Sequence, residues 1–99
     1  MVAELIIAPE AQQDVDEAYS WYEDRRPGLG EDFLGCVDAC IQVICRMPEL
    51  HTKVYEDFRR ALVRRFPYAI FYEYISGKVI VYGIFHGSQD PRKWRNRLV

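Results

Sequence analysis

Apolar residues recur at helical spacing through the first half of the chain and at strand spacing through the second. Residues 3–8, AELIIA, form a short run carrying two β-branched isoleucines and predict a strand that stops at Pro9, where a helix begins. Proline suits a first helical turn, because the N–H it lacks has no partner there anyway. From that point Ala11, Val15, Ala18, Tyr19 and Tyr22 fall on one stripe of a half-buried helix, which Arg26, Pro27 and Gly28 terminate. Ala8, at the capping position, offers no side-chain acceptor, at a cost of about 1 kcal/mol. Phe33, Val37, Cys40, Ile41 and Ile44 repeat the spacing, Glu31 and Asp32 stand where a helix N-terminus favours negative charge, and Pro48 closes this second helix near Met47. The short PGLG connection predicts that the two helices lie antiparallel.

After a loop around Glu49 to Lys53, β-branched and aromatic residues take over in RRALVRRF, YAIFYEYI and VIVYGIFH, which read as three strands. Ser76-Gly77 is a two-residue turn signal, so residues 68–75 and 79–86 form a hairpin. With that loop length, strict alternation puts Phe71, Glu73, Ile80, Tyr82 and His86 on one face. Both faces of the hairpin are rich in apolar residues, so one packs on the helices and the other requires a C-terminal cover or a partner chain. GSQDPRKWRNRLV reads as a turn followed by a short helical tail. The predicted architecture is α+β: an N-terminal strand, an antiparallel two-helix hairpin, a three-stranded antiparallel meander packed on the helices, and a short C-terminal tail, all in one domain spanning residues 1–99.

Composition narrows the class. Ninety-nine residues with 49% hydrophobic and 28% charged residues are too few for two domains and too apolar for a disordered chain. No apolar run reaches the ~18 residues of a spanning helix and no leader pattern opens the chain, which predicts a cytoplasmic protein with no membrane association and with its three cysteines free. Cys36, Cys40, Cys45 and His51 match no zinc spacing, so no metal or other cofactor is expected. The net charge of -2 conceals a division: residues 1–57 carry four basic and thirteen acidic side chains, a net -9, whereas residues 58–99 carry nine basic against two acidic, a net +7. Such asymmetry focuses a positive field on one face, or else balances internally across the fold.

APEAQQDVDEAYSWY, MPEL, RRALVRRFPYAIFYEY and FHGSQDP together resemble the first helix, the end of the second helix and the sheet of the RelE/ParE superfamily of bacterial toxins, with FPYAIFYEY and the histidine before DP the most specific features. Ala8 departs from that family's usual Ser-Pro-Glu start. The resemblance implies a toxin of a type II toxin–antitoxin, plasmid-stabilisation module, restrained by a cognate antitoxin whose segment lies in an apolar groove, within a toxin–antitoxin hetero-oligomer. Arg59, Arg60, Arg64 and Arg65 around one strand, and Arg92, Lys93, Arg95 and Arg97 in the tail, are suited to phosphate or to acidic protein surfaces. On a regular strand Arg64 and Arg65 point to opposite sides.

In RNA-cleaving members of this superfamily a ribose hydroxyl attacks the adjacent phosphate in line. The acid–base role would fall here to His86, with Glu73 a second choice, and charge stabilisation to Arg59 and Arg64. The other reading of His86 is a strand-end histidine bonded to backbone at the turn before Asp90 and Pro91. Arg60, Arg65, Arg92, Lys93, Trp94, Arg95 and Arg97 are the candidate target-binding residues, with Trp94 either stacking a base or covering the open sheet face. The lysines of the ribosome-dependent nucleases have no counterpart between Arg59 and Tyr72, which favours a ParE-like toxin that binds DNA gyrase. The alternatives are a RelE-like mRNA endonuclease acting on translating ribosomes, and a non-toxic orphan domain that keeps the fold.

Overall fold

The computed structural model describes residues 2–98. Two long helices, α1 (Pro9–Arg25) and α2 (Leu29–Arg46), lie on one face of a five-stranded sheet. The strands are β1 (Glu4–Ile7), β2 (Lys53–Tyr55), β3 (Phe58–Leu62), β4 (Tyr68–Ile75) and β5 (Lys78–His86), in the spatial order β1-β5-β4-β3-β2. A short helix, α3 (Pro91–Leu98), packs on the opposite face. β1 runs parallel to β5 and the remaining pairs are antiparallel, while α1 and α2 carry the chain from β1 at one edge of the sheet to β2 at the other.

The predicted stripes are buried except at Tyr19 and Cys40, which are partly exposed: Ala11, Val15, Ala18 and Tyr22 from α1 meet Phe33, Val37, Ile41 and Ile44 from α2 and Ile70, Tyr72, Val79 and Val81 from the sheet. Ala8 makes no side-chain cap to α1, as its chemistry dictates. The cap of α2 comes from outside its own sequence, since the two carboxylate oxygens of Glu23 accept the Gly28 and Gly30 N–H groups at 3.0 Å each. The Ser76-Gly77 turn has positive φ at both residues, the geometry whose twist matches a hairpin.

Three features depart from the sequence reading. The loop ahead of the sheet contributes β2, three residues too short to register as a strand, whose pairing with β3 is irregular. β3 ends at Leu62, short of the predicted Phe66, so Arg64 and Arg65 belong to a bend and not to a strand. Arg65 sits at φ 71° and Val63 N–H closes back on the Tyr68 carbonyl, while Pro67, without an N–H, cannot extend the ladder. The third departure is a bulge: Tyr72 lies opposite Val81 and Phe71 opposite Gly83, leaving Tyr82 as an extra residue. Every β5 side chain beyond it changes face, so Tyr82 stays with Phe71 and Glu73 whereas Ile84 and His86 turn to the helix side.

Beyond Val81, where its pairing with β1 ends, β5 carries backbone groups that need partners. Asp14 of α1 takes the Ile84 N–H at 3.0 Å, and the same carboxylate receives both terminal nitrogens of Arg97 from α3, at 2.8 and 3.2 Å. Arg97 also reaches the Tyr82 carbonyl and lies over the Phe85 ring. Gly83 makes room for this packing, since a Cβ there would stand 2.5 Å from a Phe85 ring carbon. Trp94 stacks on Phe71 with centroids 4.7 Å apart, and Leu98 is buried, so α3 is the cover that the second apolar face required.

Because Asp14 serves α1, β5 and α3 at once, Asp14→Ala is expected to destabilise the protein by about 2–3 kcal/mol, against about 1–2 kcal/mol for Arg97→Ala. Chemical denaturation of the two single variants and the double variant measures this, and the double is expected to fall short of the sum by at least about 1 kcal/mol.

Candidate functional site

His86, at the end of β5, lines a cleft of about 540 Å³ together with Asp14, Glu17, Trp21, Tyr22 and Tyr68. Its Nδ1 accepts the Ser88 N–H at 2.9 Å and lies 2.7 Å from the Ser88 hydroxyl, and its own N–H donates to Gln89 Oε1. A nitrogen that accepts a backbone N–H holds no proton of its own, so the ring is the Nε2–H tautomer with Nε2 as its remaining polar atom. Tyr68 stands edge-on to it at 5.1 Å. This is the turn-bonded histidine of the second sequence reading, and it is on the helix side of the sheet because of the bulge.

Arg59, on β3, donates through one nitrogen to the Glu49 carbonyl at 3.1 Å and the His51 carbonyl at 2.7 Å. Beside it the fully buried Tyr72 hydroxyl donates to the Pro48 carbonyl at 2.8 Å, which leaves its lone pair for His51 Nδ1–H at 3.2 Å. Burial, outweighing the opposing pull of Arg59, pushes the Tyr72 phenol up to about 12, and burial with the Arg59 charge lowers the His51 pKa. The network fastens the segment between α2 and β2 to the sheet.

Arg64, in the bend after β3, lines a third cleft with Arg65, Cys36, Cys40, Val43 and Leu62. His86, Arg59 and Arg64 therefore line three different clefts. Glu73, the second acid–base choice, accepts the Tyr82 hydroxyl on the α3 face. The Cys40 thiol is pushed up to about 11 by burial and contacts the Leu62 carbonyl. Among the described residues no group of three or more His, Cys, Asp or Glu side chains is arranged to hold a metal ion, and no helix is long and apolar enough to cross a membrane.

The bases of the second half divide between the two faces and between free and engaged states. Arg97 is clasped by Asp14, Arg65 approaches Asp32 at 3.9 Å, and Arg92 pairs with Asp90 at 2.7 Å while its side chain stays 84% exposed. Asp90 also accepts the Arg92 N–H and so caps α3; the Arg92 guanidinium holds its carboxyl below the usual range. Arg60, Arg64, Lys93 and Arg95 have no carboxylate partner among the described residues. Arg60 opposes Phe71 in the ladder, on the α3 face with Lys93 and Arg95, whereas Arg64 borders the groove against α2. Trp94, flanked by the Arg95 guanidinium, is committed to covering the sheet. The sequence reading missed the aromatic wall around His86. Its one visible signal was Trp21, 52% exposed on the polar side of an acidic helix.

Residues 5–91 match the family model for the ParE toxin of the type II toxin–antitoxin system parDE. Among solved structures the chain is similar to one from the chromosomal ParDE system of P. aeruginosa, with TM-score 0.76 and 12% identity over 86% of this chain and 96% of that one. It is also similar to the isolated E. coli RelE toxin, with TM-score 0.66 and 12% identity over 98% and 99% of the two chains. A chain of the RelBE2 complex from Mycobacterium tuberculosis matches with TM-score 0.60 and 13% identity over 87% and 99%. At these identities the likeness is one of fold. No curated protein sequence matches the chain significantly.

The His51 network carries a pH dependence of known sign. A histidine with its folded pKa below the ordinary 6.5 contributes stability that is intact above that value and is lost as pH falls through the folded value. Denaturation midpoints measured between about pH 7 and 5 are expected to decline in the native protein, and His51→Gln is expected to flatten that decline.

Proposed function

The chain belongs to the ParE toxin family of type II toxin–antitoxin systems, and from that membership we propose that it inhibits growth by binding a macromolecular target, and does not cut RNA. The observation that carries this reading is the separation of His86, Arg59 and Arg64 into three clefts. In-line cleavage of RNA needs a base, an acid and a cation converging within hydrogen-bond reach of one phosphate. Here the His86 Nδ1 is taken by Ser88, and one Arg59 nitrogen is taken by two carbonyls.

A binding toxin needs instead a surface that survives folding with its charge available. The α3 face offers one, with Arg60, Lys93 and Arg95 beside the partly buried Val54, Tyr55, Phe58 and Tyr82. On this reading DNA gyrase in the cytoplasm is the target, in keeping with the family resemblance, and a cognate antitoxin restrains the protein in a hetero-oligomer. Arg65, Arg92 and Arg97 contribute to the fold before they contribute to any target.

Purified protein is expected to inhibit gyrase supercoiling, and its induction is expected to leave mRNA on translating ribosomes uncut. His86→Ala is expected to retain growth inhibition, whereas Lys93→Ala combined with Arg95→Ala is expected to weaken it roughly 3–10-fold. Codon-positioned mRNA breaks that disappear with His86→Ala would replace this reading with the ribosome-dependent endonuclease. Unimpaired growth at full expression without antitoxin would favour the non-toxic orphan.

A further inference from the structure

The cleft containing His86 has a chemistry that the toxin reading does not use. Its walls are aromatic and in edge-to-face contact: Trp21 to Tyr22 at 88°, Tyr22 to Tyr68 at 63° and Tyr68 to His86 at 84°. With Tyr22 only 9% exposed, the ring surface open to the cleft belongs to Trp21, Tyr68 and His86. The ionised groups that line the cleft are Asp14 and Glu17, and no lysine or arginine does so. Asp14 is saturated by Arg97 and the Ile84 N–H, which leaves Glu17, on the exposed side of α1, as the available carboxylate.

We propose that this cleft receives an arginine or lysine side chain presented by a partner protein. A cation over aromatic faces is held by the ring quadrupoles, and a neighbouring carboxylate adds direct charge pairing. A phosphate entering the same space would meet the Glu17 carboxylate and no base among the lining residues. The molecule already contains one instance of the contact: the Arg25 guanidinium, one helical turn on, lies 4.2 Å from the Trp21 ring centroid. Ser88 and Gln89 at the rim supply polar atoms that can orient a guanidinium or its flanking backbone. The site is on the helix side of the sheet, away from Lys93 and Arg95, so it is separable from the surface assigned above to the target.

The test uses the full chain, labelled with ¹⁵N, and three small probes: N-acetyl-arginine amide, the isosteric uncharged N-acetyl-citrulline amide, and uridine monophosphate. The arginine compound is expected to shift the Trp21 indole and the Ser88 and Gln89 amides saturably while the Trp94 indole stays still. Citrulline is expected to bind at least about tenfold more weakly. Glu17→Gln, an exposed substitution that leaves the fold intact, is expected to weaken the arginine compound about fivefold. Equal binding of citrulline, tighter binding of the nucleotide at the same peaks, or no saturation by about 50 mM of the arginine compound would each overturn the proposal.

Discussion

The extra residue in β5 is the constraint from which the rest of the arrangement follows. Where the bulge falls at Tyr82 the parity of the side chains inverts, and beyond Val81, where the pairing with β1 ends, the Ile84 amide and the Tyr82 carbonyl take partners from outside the sheet. Those two groups are the points that Asp14 and Arg97 occupy. A single carboxylate from the first helix thus meets the last helix through the irregular point of the sheet, and both layers are anchored at one place. Without the bulge, His86 would lie under α3 and the aromatic cleft on the opposite side would lack one wall.

The same clasp explains what becomes of the charge asymmetry. Three of the five ion pairs among the described residues join the acidic first half to the basic second half: Asp14 to Arg97, Asp32 to Arg65 and Glu4 to Lys78. Only the first is substantially shielded from water, and exposed pairs are each worth ~0–1 kcal/mol. The division along the chain is therefore partly an internal complementarity and partly a residue of unmatched bases. That residue lies on both sides of the sheet, Arg60, Lys93 and Arg95 on one and Arg64 on the other, and so forms no single broad cationic face.

Periodicity made most of the fold legible. The two helices, their buried stripes, the Ser76-Gly77 hairpin and the helical tail all follow from local rules that tertiary packing reinforced. What escaped was non-local or too short. β2 has three residues, and the stop of β3 depends on how Val63 meets Tyr68 across a loop. The bulge has no signature beyond Gly83, whose need for a missing Cβ becomes visible only when Phe85 is folded against it. The candidate site was legible as a set of residue types and illegible as an arrangement. Arginines chosen for their charge became structural wherever a carbonyl or carboxylate came within reach, as at Arg59 and Arg97.

The parallel pairing of β1 with β5, Glu4 beside Lys78 and Ile7 beside Val81, joins the first strand to be synthesised to the last. At ordinary translation speeds of ~5–20 residues per second, the apolar segment Leu5-Ile6-Ile7 waits on the order of ten seconds for its neighbour to leave the ribosome. During that interval the nascent chain displays an unpaired, β-branched edge that any nearby extended peptide can template. The topology thereby leaves the sheet incomplete until its final strand arrives, and keeps β1 as an edge strand even then.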